Sequence, residues 1–151
     1  MSLPEYVFRE RLPTPMEYNF LREQVGWKPY EIAVLERALP NTLFCLCVYS
    51  GDAIVGMGRV VGDGGLCFYI QDVIVLPAHQ GRGLGGKIMT ALMAYVDSEA
   101  HNNTIVGLMS ALGKEPFYEK FGFFRRPAEK FGCGMTQFIR REPERDGATR
   151  K

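Results

Sequence analysis

The chain has 151 residues and 17.0 kDa, the size of a single domain. A hydrophobic share of 46% is too high for a disordered protein, and 18 Lys and Arg stand against 17 Asp and Glu. That balance argues against a nucleic-acid module, which carries a clear basic excess.

In chain order, Tyr6 to Leu12 read as a short strand of mixed polarity, as near a sheet edge. Thr14 and Pro15 read as an N-cap and a first helical residue, opening a helix with Met16, Phe20, Leu21 and Val25 at helical spacing. Gly26 stops it, and Pro29 is expected to restart a second helix with Ile32, Leu35, Ala38 and Leu39 on one side, ended by Pro40-Asn41. The pattern then changes. TLFCLCVY, AIVGMGRVVG and LCFYIQDVIVL read as three strands joined by glycine turns at Gly51-Asp52 and Gly62 to Gly65, an antiparallel meander. The third is apolar on both faces over VIVL, as in a strand covered on both sides.

After Pro77 the period becomes helical, with Leu84, Ile88, Ala91, Leu92, Tyr95 and Val96 as an apolar stripe. TIVGLM is a strand again, made parallel to the meander's last strand by the crossover. GKEPFYEKF reads as a short helix closed by Gly122, and Phe123 to Arg125 and Gly134 to Arg140 read as two final strands. The expected order is β-α-α-β-β-β-α-β-α-β-β, an α/β (α+β) fold with one mixed, largely antiparallel sheet and helices on both faces. Residues 1–141 form the domain, and 142–151 a polar tail without an apolar anchor.

The N-terminus lacks a basic region followed by an apolar stretch, and no run of about 18 uncharged apolar residues occurs, so neither a signal peptide nor a membrane span is expected. Cys45, Cys47, Cys67 and Cys133 have no histidine nearby at metal-site spacing; buried free thiols, no metal and a cytoplasmic location are the expectations.

Ten of the 17 glycines fall between Gly51 and Gly86. The densest group follows the apolar strand: Gln80, Gly81, Arg82, Gly83, Leu84, Gly85 and Gly86 lead into a helix. A helix start leaves first-turn N–H groups unpaired at its positive end, and glycines let that backbone close around a diphosphate. Arg82 and Lys87 can add charge at the rim. A tight turn needs fewer glycines than four in six residues. The run is not a dinucleotide fingerprint, because Ala78, His79 and Gln80 intervene after the strand, and it is not a Walker loop, because Lys87 is followed by Ile88. Gly56 and Gly58, inside a strand, mark a bulge or a close approach.

The run VIVLPAHQGRGLG from Val73 to Gly85 resembles the pyrophosphate-binding signature of the GNAT superfamily of acetyl-coenzyme A-dependent N-acetyltransferases. PFYEKFGF from Pro116 to Phe123 is similar to that family's second recognisable segment, and the element order agrees over nearly the whole chain. The resemblance implies that the backbone of Gly81 to Gly86 holds the pyrophosphate of acetyl-CoA and that Val73, Ile74 and Val75 pair with pantetheine. It also implies that the strands at Asp72 to Leu76 and Ile105 to Met109 splay apart, and that Tyr118 is the general acid.

A phenol near the thioester can protonate the leaving sulfur, although Tyr118 among Phe117, Phe121 and Phe123 also suits packing. Asp72, an acid in an apolar strand, is a candidate base, an electrostatic anchor for a cationic acceptor, or a carboxylate satisfied by backbone; Glu115, Glu17 and water are the other options. Trp27 and Tyr30 are candidates to wall the acceptor site. His79 and His101 read as exposed and non-catalytic. The leading expectation is acetyl transfer to a primary amine of a small molecule in a ternary complex. An acyl-CoA sensing module and a protein lysine or N-terminal acetyltransferase are the alternatives, and the last two strands offer a place for a homodimer.

Overall fold

The computed structural model describes residues 2–141. Its five-stranded sheet has the order β1 (Tyr6–Glu10), β2 (Phe44–Ser50), β3 (Ala53–Gly62), β4 (Cys67–Val75) and β5 (Ile105–Gly107). All neighbours are antiparallel except β4 and β5, which the crossover helix α3 (Leu84–Glu99) makes parallel. The meander and crossover follow the sequence pattern. Asp63 holds the β3–β4 turn by accepting the backbone N–H groups of Gly65, Leu66 and Cys67.

Helix α1 (Pro15–Gln24) opens with the expected Thr14 cap, completed as a capping box by Glu17. Helix α2 (Ile32–Ala38) starts later than Pro29 suggests, with extended Glu31 as its N-cap. Both pack on one face of the sheet, where Tyr18, Leu21 and Leu35 meet Cys45, Cys47, Met57 and Ile74. On the other face, Leu84, Ile88, Met89, Leu92 and Val96 of α3 meet Leu46, Val48, Val60, Phe68 and Ile70. The alternation of β2 residues between the two cores is the two-residue period of a strand covered on both sides.

Gly58 explains how α3 can lie so close. A Cβ there would stand 2.5 Å from Ile88 Cγ2 and 2.9 Å from Leu92 Cδ1, and one at Gly56 would stand 2.9 Å from the Ile74 carbonyl oxygen. Both glycines serve close approach, and Gly58 also lies opposite an irregularity in the β3–β4 ladder.

The two final strands do not form among the described residues. After α4 (Glu115–Glu119), the only pairing is an isolated bridge between Ala128 and Phe131, and residues 131–140 are exposed throughout. Met135, Phe138 and Ile139 are exposed in that segment, and among the described residues β5 is the outer strand of the sheet. The expected 142–151 tail lies outside the described residues.

Candidate active site

The site is built on a change within β4. Ladder partners run Met57↔Ile74 and then Arg59↔Gln71, so Asp72 and Val73 together oppose Gly58: a β-bulge. Asp72 takes φ 54°, a left-handed conformation that aspartate tolerates better than most residues. The bulge reverses which residues face which layer. Phe68 and Ile70 belong to the core under α3, whereas Ile74 belongs to the core under α1 and α2.

Pairing on the other flank stops nearby. The β4–β5 ladder ends at Tyr69↔Gly107, and β5 itself stops at Gly107, so Ile74 and Val75 are laddered only to β3 and Val73, in the bulge, has no ladder partner. β5 thus falls short of the expected Met109, and β4 runs on past it as a strand segment laddered on one side.

Above it, Pro77–His79 form a single 3-10 turn, and Gln80 Nε2 donates to the Val75 carbonyl at 2.9 Å. Gly81 and Gly83 adopt φ 74° and 79°, and Gly83 caps α3 without any side-chain bond to the helix N–H groups. Cβ atoms at Gly81, Gly83 or Gly86 would meet nothing within 4 Å. The loop is thus an open cradle with free donors at a helix N-terminus, which fits a diphosphate. Leu84 contributes only backbone there, because its side chain is in the core. Arg82 is exposed at the rim, whereas the Lys87 ammonium lies over the Phe8 ring at 5.5 Å. Gly85 has a different purpose: its Cβ position is 3.4 Å from Phe117 Cζ, so α4 rests on the first turn of α3.

That contact seats α4, which carries Tyr118, against the first turn of α3. The half-buried Tyr118 ring meets Phe117 edge to face at 5.0 Å, and burial pushes its phenol above the ordinary tyrosine range. A phenol that holds its proton suits a general acid.

Asp72 is committed more heavily than a free base would be. With only 1% of its side chain exposed, its Oδ2 accepts from Tyr18 OH at 2.8 Å and Arg59 Nε at 2.9 Å, and Arg59 Nη2 stands in ion-pair contact with it at 2.8 Å. Thr42 steadies Arg59 from behind by accepting from Nη1 at 2.7 Å. Burial, and then the Asp72 charge, raise the Tyr18 phenol. Backbone does not satisfy this carboxylate; side chains do, and only Oδ1 is left without a hydrogen bond.

Trp27 and Tyr30 are half-exposed, but their faces already hold a cation. The Arg22 guanidinium lies 5.3 Å from the Trp27 ring, 4.6 Å from Tyr30 and 5.7 Å from Tyr18. Glu17 is taken up by its cap, by Arg11 and by Tyr49 OH, while Glu115 lies in the first turn of α4. His79 is not free in solvent as expected: Tyr6 OH is 2.9 Å from its Nδ1. Among the thiols, Cys45 and Cys47 are buried, but Cys67 and Cys133 are exposed. The described residues contain no cluster of three or more His, Cys, Asp or Glu that could hold a metal, and no helix long and apolar enough to cross a membrane.

Sequence reading missed Arg22 and Arg59. Arg59 had a signal, as the only charge in the run AIVGMGRVVG; the ion pair of Arg22 with Asp72 joins segments distant in the chain.

Residues 8–123 match the model of the acetyltransferase (GNAT) family. An N-acetyltransferase of Prochlorococcus marinus, named as uncharacterized and ycf52-like, is 28% identical over 74% of this chain and 63% of its own length. The chain thus spans less than two thirds of that curated relative. A solved Staphylococcus aureus protein of unknown function, described as a probable acetyltransferase, is 35% identical with TM-score 0.82, covering 89% of this chain and 100% of that one. A GNAT family acetyltransferase of Streptococcus pneumoniae is 29% identical with TM-score 0.73, covering 91% and 100%.

Proposed function

The chain belongs to the GNAT acetyltransferase family, and from that membership and the site together we propose that it moves an acetyl group from acetyl-CoA to a primary amine of a small molecule. The observation that carries this reading is the one-sided ladder of Ile74 and Val75 leading straight into the open glycine cradle.

Acetyl-CoA supplies an activated acyl group as a thioester. The backbone from Gly81 to Gly86, with Gln80 and Leu84 in the same turn, binds its diphosphate, and Arg82 adds charge at the rim. The free edge of Val73, Ile74 and Val75 aligns the pantetheine arm. The acceptor ammonium first gives up a proton, to Asp72 Oδ1 or to water. Its nitrogen then bonds to the acyl carbon, the carbon–sulfur bond breaks, Tyr118 donates its proton to the leaving sulfur, and the second proton lost by the nitrogen restores the Tyr118 phenol through solvent. The products are the acetamide, free CoA thiol and one released proton.

Lys87 belongs to this site less than its position suggests, since its ammonium turns toward Phe8. Trp27 and Tyr30 serve the acceptor through the arginine they hold rather than by enclosing an amine themselves. The uncovered edge of β5, with exposed Met135, Phe138 and Ile139, is the surface a second copy would cover in a homodimer. A cytoplasmic location and the absence of nucleic-acid or membrane partners complete the proposal.

The test is calorimetric titration with acetyl-CoA, followed by CoA-thiol release over a panel of small amines and lysine peptides. Binding with release from small amines is expected. Absence of cofactor binding overturns the reading, binding without release points to a sensing module, and release from peptides alone points to a protein acetyltransferase.

A further inference from the structure

The turn from β4 into α3 has little support of its own. Leu84 pins its helical end in the core, but from Pro77 to Gly83 no side chain is buried. Gly81 and Gly83 lie in the left-handed region, where Cβ atoms would touch nothing. Gln80 Nε2 reaches back only to the Val75 carbonyl, five residues away in the chain. Glycines lose more backbone freedom on ordering than other residues, so such a loop receives an anion well only when something outside it sets its shape.

Two contacts from outside do so, one at each end of the cradle. His79 stands immediately before Gln80, and its Nδ1 lies 2.9 Å from Tyr6 OH, with the two rings edge to face at 5.6 Å. Lys87 stands immediately after Gly86, and its ammonium lies over the Phe8 ring at 5.5 Å. Tyr6 and Phe8 are alternate residues of β1, so they share one face of the strand, and both pack against the core under α3. Pairing with β2 fixes β1 along its length, from Tyr6↔Ser50 to Glu10↔Leu46. The spacing of the two anchors is therefore that of alternate strand residues, about 7 Å.

We infer that Tyr6 is a positioning residue for cofactor binding: its phenol, through His79, holds the first half of the glycine cradle in the shape that receives the diphosphate, while Phe8 and Lys87 steady the helical end. The inference rests on the acetyl-transfer reading for the identity of the anion and adds to that reading a strand, β1, on the far side of the sheet order from β4.

The test uses the full chain and Tyr6→Phe, which removes one oxygen and keeps the ring. Acetyl-CoA is titrated by calorimetry, and S-acetylpantetheine, the same thioester without the diphosphate, by amide shifts. Tyr6→Phe is expected to weaken acetyl-CoA about fivefold, the scale of one lost hydrogen bond, and to leave S-acetylpantetheine as it binds the wild-type chain. Phe8→Leu is expected to weaken acetyl-CoA about threefold, and Val7→Ala, on the other face of β1, to change neither. Circular dichroism melts report the fold of each variant. Equal affinity of wild type and Tyr6→Phe for acetyl-CoA overturns the inference, and so does an equal loss for both thioesters. If the wild-type chain binds no acetyl-CoA, the acetyl-transfer reading is what fails. Amide relaxation of the free chain then decides the positioning role separately: order parameters of Gln80 to Gly83 that fall from about 0.85 to below about 0.6 in Tyr6→Phe support it, and unchanged values overturn it.

Discussion

The two halves of β4 are one strand doing two kinds of work. At Phe68 and Tyr69 it is laddered on both flanks, and Phe68 and Ile70 are sealed under α3. From Asp72 to Val75 it is laddered on at most one flank and carries a buried, multiply bonded charge. The lower half spends both backbone edges on the sheet, and the upper half leaves one edge out of it. What separates them is one bulge at a left-handed aspartate.

The strongest way to break this comparison is Asp72→Ala. It removes little apolar contact but strands Arg59 and Arg22 beside a buried phenol, so a loss of about 3–5 kcal/mol in chemical denaturation is expected. A loss below about 1 kcal/mol would mean that the cluster is a surface ion pair in effect. Tyr118→Phe probes the upper half from across the gap: kcat is expected to fall roughly 100-fold with cofactor affinity within a few-fold, and an unchanged kcat under chemistry-limited conditions rejects the acid role. Because burial raises the Tyr118 phenol, the wild-type rate should not decline on the alkaline side until above about pH 10, the ordinary tyrosine value.

Gly58→Ala tests what lets the two halves share one helix. The added methyl overlaps Ile88 and Leu92, and about 2 kcal/mol of destabilisation is expected in thermal or denaturant melts. Ile70→Val, in the lower half, is the smallest: about 1 kcal/mol of stability, with kcat/KM per folded molecule unchanged. Alkaline pH acts on both faces of the cluster. Tyr18 and Tyr49 hold their protons more tightly folded than unfolded, so their contribution is complete below about pH 10 and declines as pH rises past it. Urea midpoints from pH 8 to 11 measure this.

Much of the frame was legible because local rules settle it. Thr14 and Pro15 mark a helix start, Gly51 and Gly62 to Gly65 punctuate a meander, and the change of period after Pro77 marks the crossover. The glycine run before α3 was readable for the same reason, since a strand, a glycine turn and a helix are contiguous in sequence. What escaped is non-local. Gly58 is small because Ile88 and Leu92 arrive from 30 or more residues away, and Tyr18 bonds an aspartate 54 residues along the chain. The expected strand from Gly134 to Arg140 failed for the opposite reason: a short mixed segment forms none where no described neighbour pairs with it. Trp27 and Tyr30 were recognisable as cation-binding faces, but nothing in their neighbourhood announced that Arg22 already fills them.

The two exposed thiols govern how turnover must be read. Cys67 opens β4 and Cys133 lies in the exposed segment after α4, so a sulfhydryl reagent added to count released CoA also counts two accessible groups on every chain. That background scales with enzyme and not with acceptor, and it reacts at the foot of the strand whose upper half forms the site. Replacing both with serine removes the offset, while Cys45 and Cys47, enclosed between the sheet and α1, stay silent until the chain unfolds. The same reagent then serves twice, reporting catalysis in the native state and the opening of the core in denaturant.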